Sequence, residues 1–215
     1  MRDYIELFFL FLCLLASLTA FFQGPSPLYL RVFPFYFFIA LVVQVIGFYL
    51  SRHSLSNINL YSIYSTLEFS LYFFILREII RNRKIKLIIL IVIIVYATAT
   101  LLHLFFFKKG QTFHSAPYAI GCSLVVVLCI VYFIELFQLP KAPSLKNEPS
   151  FWICTTFLFS YVCSFPFWGL LNFIKTAPRI ILGNLMNIAL IINILTYCLF
   201  IIAFLCRIKI RRSTL

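Results

Sequence analysis

Seven stretches of this chain, at 4–22, 33–50, 59–80, 87–107, 117–137, 151–173 and 184–206, are each long and apolar enough to cross a bilayer. A hydrocarbon core of roughly 30 Å takes about 20 residues of helix, because lipid offers no partner for a backbone N–H or C=O and a helix pairs them internally. The other spanning solution is a β-barrel, whose strands alternate between lipid and lumen at every residue. Residues 86–95 read KLIILIVIIV, with no polar residue after the opening lysine, so the barrel fails and an all-α bundle of seven transmembrane helices is expected. With 63% of residues hydrophobic, 11% charged and a mean hydropathy of +1.04, a water-soluble fold would have no surface left. The whole chain, 1–215, reads as one transmembrane domain that ends in a basic tail at 207–215.

The first stretch ends in Ser17, Leu18, Thr19 and Ala20, small residues of the kind found at a signal-peptide cleavage site. Its amino-terminal flank sets Arg2 against Asp3 and Glu6, where a signal peptide is positive, so the stretch is expected to persist as a helix of the mature protein.

An odd number of spans puts the termini on opposite sides, and Lys and Arg concentrate on the cytoplasmic side of short loops. One side collects Arg31, Arg77, Arg81, Arg83, Lys84, Lys86, Lys141, Lys146, Arg207, Lys209, Arg211 and Arg212, twelve in all, against the six of Arg2, Arg52, Lys108, Lys109, Lys175 and Arg179. The amino terminus is therefore expected outside and the carboxyl terminus in the cytoplasm of a bacterial inner membrane. The net charge of +12 lies beside helix ends, where each basic residue gains about 1 kcal/mol from anionic headgroups. Membrane lipids are thus the expected partners and nucleic acid is not. The tail at 207–212 is also a place where an acidic partner protein could dock.

No stretch outside the helices is long enough for a catalytic module. The longest connection, 139–150, is Pro-rich and reads as a linker. No internal repeat is visible, which weakens an inverted-repeat transporter. The seven cysteines form no C-x-x-C pair and read as small packing residues rather than metal or redox ligands.

The residues with chemical potential are the few polar ones that lie deep, because each opposes insertion and turns toward the bundle interior. Glu68 heads them: it lies nine residues into its helix, about 13 Å at 1.5 Å per residue, near mid-membrane. No Lys or Arg is expected at that depth, so desolvation favours a neutral, hydrogen-bonded acid. Tyr61, Tyr64, Ser65, Glu68 and Tyr72 recur at spacings of three and four and share one face of the helix. Gln44, His103, Asn187 and Asn193 on other helices are the candidate partners. Such a set reads first as interhelical glue and second as the lining of a ligand-binding or proton-responsive site. Pro166 is expected to kink the sixth helix, whether as shape or as hinge.

Known intramembrane chemistries find no template. The last helix has no Lys for a retinal Schiff base, G-x-S-G does not occur, and His53, His103 and His114 are far apart with Asp3 the sole Asp. Neither a metal nor a cofactor is expected.

The spacing Asn57, Tyr61, Tyr64, Glu68 entering the third helix, with Phe151-Trp152 opening the sixth and Asn193 in the seventh, resembles a group of small uncharacterised seven-helix integral membrane proteins of Bacteroidota. The resemblance covers the layout of nearly the whole chain and implies the same topology, without an activity. Gln44 stands where that group has an acidic residue. Together these features lead to the expectation of a multi-pass, non-enzymatic sensor or accessory protein that binds a small or lipidic ligand within the bundle. An intramembrane lipid-modifying enzyme or a small transporter is the alternative.

Overall fold

The computed structural model describes residues 2–22, 26–106, 115–138, 145–169 and 179–213. They form seven α-helices, α1 (Arg2–Phe22), α2 (Leu28–Arg52), α3 (Ile58–Ile79), α4 (Arg83–Phe106), α5 (Ser115–Phe137), α6 (Pro149–Gly169) and α7 (Arg179–Ser213), with a short 3₁₀ turn at Leu145–Asn147 and no strand among the described residues.

The helix ends follow local chemistry. Pro149 opens α6, where its missing N–H would have no partner in any case. Asn82 caps α4 by accepting the Lys84 amide at 2.9 Å, and Glu135 reaches over from α5 to accept the Arg81 and Asn82 amides at 2.9 and 3.3 Å. Glu135 thereby pins the α3–α4 turn. The other end of α2 closes with Ser54 at φ 55°, the left-handed position that glycine usually takes, and the Leu55 amide bonds back to the Leu50 carbonyl at 2.9 Å. The α2 helix starts at Leu28, five residues before the apolar window does, and carries Pro34 within it. The α7 helix runs through the basic tail to Ser213.

Cross-helix bonds show α1 against α2, α4 against α5 and α5 against α6 running antiparallel. Arg52 at the end of α2 donates to the Tyr4 hydroxyl at the start of α1 at 2.9 Å. Tyr96 on α4 donates to the Pro117 carbonyl at the start of α5 at 3.1 Å, and Tyr132 near the end of α5 to Ser150 at the start of α6 at 3.1 Å. Packing runs α1–α2–α3–α5–α6–α7 and back to α1, a closed ring of six helices, while α4 lies outside the ring against α3. That placement explains the lipid-like face of α4, where Leu87, Ile88, Ile94 and Val95 are all more than half exposed.

Five helices hold stretches long and apolar enough to cross a membrane: Tyr4–Phe22, Leu28–Arg52, Arg83–Leu104, Ala116–Phe137 and Gly183–Cys206. This is the pattern of a multi-pass membrane protein. The α6 helix offers the shorter apolar stretch Pro149–Phe165. The 22-residue α3 is long enough but too polar, because its face of Tyr61, Ser62, Tyr64, Ser65, Glu68 and Tyr72 lowers its hydropathy. That same face turns inward. Ile63 and Leu67 on the opposite side are 52% and 40% exposed, whereas Tyr72 is 3%. One helix therefore gives up apolarity in order to carry the interior polar groups.

Candidate functional site

Glu68 sits where α3 faces α2. Its Oε1 accepts hydrogen bonds from the Tyr36 hydroxyl and from the Tyr72 hydroxyl, each at 2.8 Å. Tyr72 and Tyr36 are also bonded to each other, and the Tyr64 hydroxyl donates to that of Tyr36 at 3.4 Å. The i, i+4 spacing of Glu68 and Tyr72 places them one turn apart on the same face, and antiparallel α2 supplies Tyr36 across from both. The phenol rings pack as well as bond: those of Tyr36 and Tyr72 have centroids 5.2 Å apart, and Tyr72 lies 4.5 Å from Phe157 on α6.

The partners expected for Glu68 from other helices lie elsewhere. Gln44 on α2 and Asn193 on α7 both turn to Glu6 on α1, Gln44 Nε2 donating to Oε2 at 3.2 Å and Asn193 Nδ2 to Oε1 at 3.1 Å. Glu6 thus holds a second interior acid site. Its place near the start of α1, set against Arg2, concealed it in sequence. Tyr36 was also missed, since nothing in the apolar α2 sequence marks one tyrosine among its aromatics. Tyr61 packs on α2, where a side chain added at Gly47 would collide with its ring. Asn187 is exposed. The side chain of Pro166, with the kink expected there, lies outside the described residues, as does His114.

His103 occupies a third place. Between α4 and α5 runs a groove of about 450 Å³, walled by Ile91, Val95, Ala99 and His103 on one side and by Pro117, Ile120 and Leu124 on the other. It exists because α4 stands outside the ring and meets α5 near Tyr96 and Pro117. Most of its wall is hydrocarbon, while Thr100 and His103 form its polar end. The floor connects to the centre. Tyr96 packs edge-on against Phe69 and Phe73 of α3 at 5.8 and 5.4 Å, and Phe69 is the residue next to Glu68. Phe69 in turn lies against Gly121 of α5, where a Cβ would come within 2.7 Å of its ring.

The geometry thus separates the expected network into a phenol-bonded acid at Glu68, an amide-bonded acid at Glu6 and an apolar groove ending at His103. Comparison with family models, with curated proteins and with solved structures finds no match to this chain.

Proposed function

We propose that the chain is a seven-span protein of the bacterial inner membrane that binds a lipidic ligand in the α4–α5 groove and acts, without catalysis, as a sensor or accessory protein. The groove is the observation that carries this reading. Its volume of about 450 Å³ falls in the range of small-molecule sites, its wall is apolar, and a few polar groups at one end are placed to orient a headgroup. Because α4 lies outside the ring, the groove opens sideways, so a chain could enter from the bilayer rather than from water.

The same reading places the amino terminus outside and the carboxyl terminus in the cytoplasm, supported by the twelve-to-six distribution of Lys and Arg. Glu68 is not among the residues that wall the groove, so its role in this reading is to receive a shift of Phe69 rather than to touch the ligand. Anionic headgroups, and a protein partner at the basic cytoplasmic face, would complete the signalling route.

The experiment is a thermal unfolding series of the detergent-purified protein with added membrane lipids. A ligand present at one hundred times its Kd raises stability by about 2.7 kcal/mol through mass action. Ala99→Trp fills the groove from an exposed position and should abolish that response while leaving the unliganded melting temperature near wild type. An unchanged response in Ala99→Trp would remove the groove as the site. Product formation from phospholipid, lost in His103→Ala, would replace the sensor reading with an enzymatic one.

A further inference from the structure

The inward faces of the helices change character along the bundle. Toward the carboxyl end of α3 they are sealed by rings and branched chains: Phe33, Phe37, Phe69, Phe73 and Leu76 have no exposure and Phe157 has 1%. Phe33 lies 5.3 Å from Phe204 and 5.5 Å from Phe200, so α2, α6 and α7 close together there. Toward the amino end of α1 the inward residues are polar and only half-buried, namely Glu6, Gln44, Tyr64, Glu68, Asn193 and Tyr197. Tyr197 on α7 is within electrostatic reach of both Glu6 and Glu68, and Tyr64 bonds onward to Tyr36 beside Glu68. Polar groups therefore lead inward from one face of the bundle to Glu68, and aromatic packing blocks the way beyond it.

The hydrogen bonds at the end of that path can be satisfied in two ways. Three oxygens, those of Tyr36, Tyr72 and Glu68 Oε1, are mutually bonded. Two phenols carry two protons. With Glu68 ionised, both phenols donate to Oε1 and the contact between them has no proton of its own. With a proton on Glu68, three donors and three acceptors form a closed ring. Both phenol donors stay paired in either state, so uptake of a proton adds one hydrogen bond among the three oxygens and its release strands no donor.

We infer that Glu68 is a proton-binding site, reached from the membrane side that carries the amino terminus and closed to the opposite side by the aromatic half of the bundle. The titratable groups that face it are Tyr36 from α2, Tyr64 and Tyr72 on its own helix, Tyr96 from α4, Tyr118 and Cys122 from α5, Tyr161 from α6 and Tyr197 from α7. All are phenols or a thiol, which ordinarily titrate far above a carboxyl group. Glu68 is the one carboxylic acid in this set. Proton binding at Glu68 needs no lipid bound in the α4–α5 groove.

Two measurements test it. In sealed vesicles of known orientation, Ser65→Cys, on the half-buried polar stretch, should be labelled by a membrane-impermeant thiol reagent added from the amino-terminal side only. Leu76→Cys, on the sealed stretch, should be labelled from neither side, with the unsubstituted protein providing the background of the seven native cysteines. Infrared difference spectra should show a carboxylic-acid carbonyl band that falls as pH is raised on the amino-terminal side and that is lost in Glu68→Gln, whose amide keeps the hydrogen-bonding shape. Labelling of Ser65→Cys from the other side, no labelling at all, or a pH-dependent band that survives in Glu68→Gln would overturn the proposal.

Discussion

Asn193 on α7 donates to Glu6 on α1 at 3.1 Å, joining residues 187 positions apart in the chain. The bond links the last helix to the first and closes the ring of six helices, with Gln44 of α2 bonded to the second oxygen of the same carboxyl group. Within lipid, apolar contact gives helices little reason to prefer one another over the surrounding chains, so such bonds and close packing carry the association.

Loss of that clasp has a measurable consequence. Glu6→Leu strands two amide donors and should lower the melting temperature in detergent. A double-mutant cycle between Glu6 and Asn193 should return a coupling of roughly 0.6–2 kcal/mol. A coupling of zero would mean that the ring is held by packing alone.

At Glu68 the shape of the side chain matters more than its charge. Glu68→Gln should fold with nearly wild-type stability, whereas Glu68→Leu removes the acceptor that the Tyr36 and Tyr72 hydroxyls share, leaves one of the two donors unpaired and should lose about 1–3 kcal/mol. Thermal unfolding of the two variants side by side decides the matter, and equal stability would argue against a bonded network.

Gly121 permits the close approach of α3 and α5. A methyl group there meets the Phe69 ring at 2.7 to 2.8 Å, and Phe69 is fully buried. Gly121→Ala should therefore destabilise by about 1–3 kcal/mol through overpacking. Gly121→Ala with Phe69→Leu should recover part of that loss.

Ser54 holds a left-handed backbone position at φ 55° that an L side chain disfavours by about 1–2 kcal/mol. Ser54→Gly should raise the melting temperature, and an Ala at this position should not.

Topology is checked without purification. Reporter fusions at Leu215 and in the turn at 81–82 should be active only as cytoplasmic reporters, and those placed before α1 only as external ones. The opposite pattern would reverse the orientation assigned by the basic residues.

Helix number and the inward face of α3 were legible in the sequence, since each depends on what a single helix in lipid must do. A run of apolar residues dictates a helix, and a polar stripe at spacings of three and four dictates the face that turns away from lipid. The neighbour that each face meets depends on rotation and packing order, which the chain encodes only through all helices at once. Gln44 and Asn193 accordingly looked like partners for Glu68 by depth, yet the rotation of α2 and α7 carries them to Glu6, and Tyr36 fills the place at Glu68. The groove at His103 has the same origin: it lies where α4, packed outside the ring against α3, meets α5.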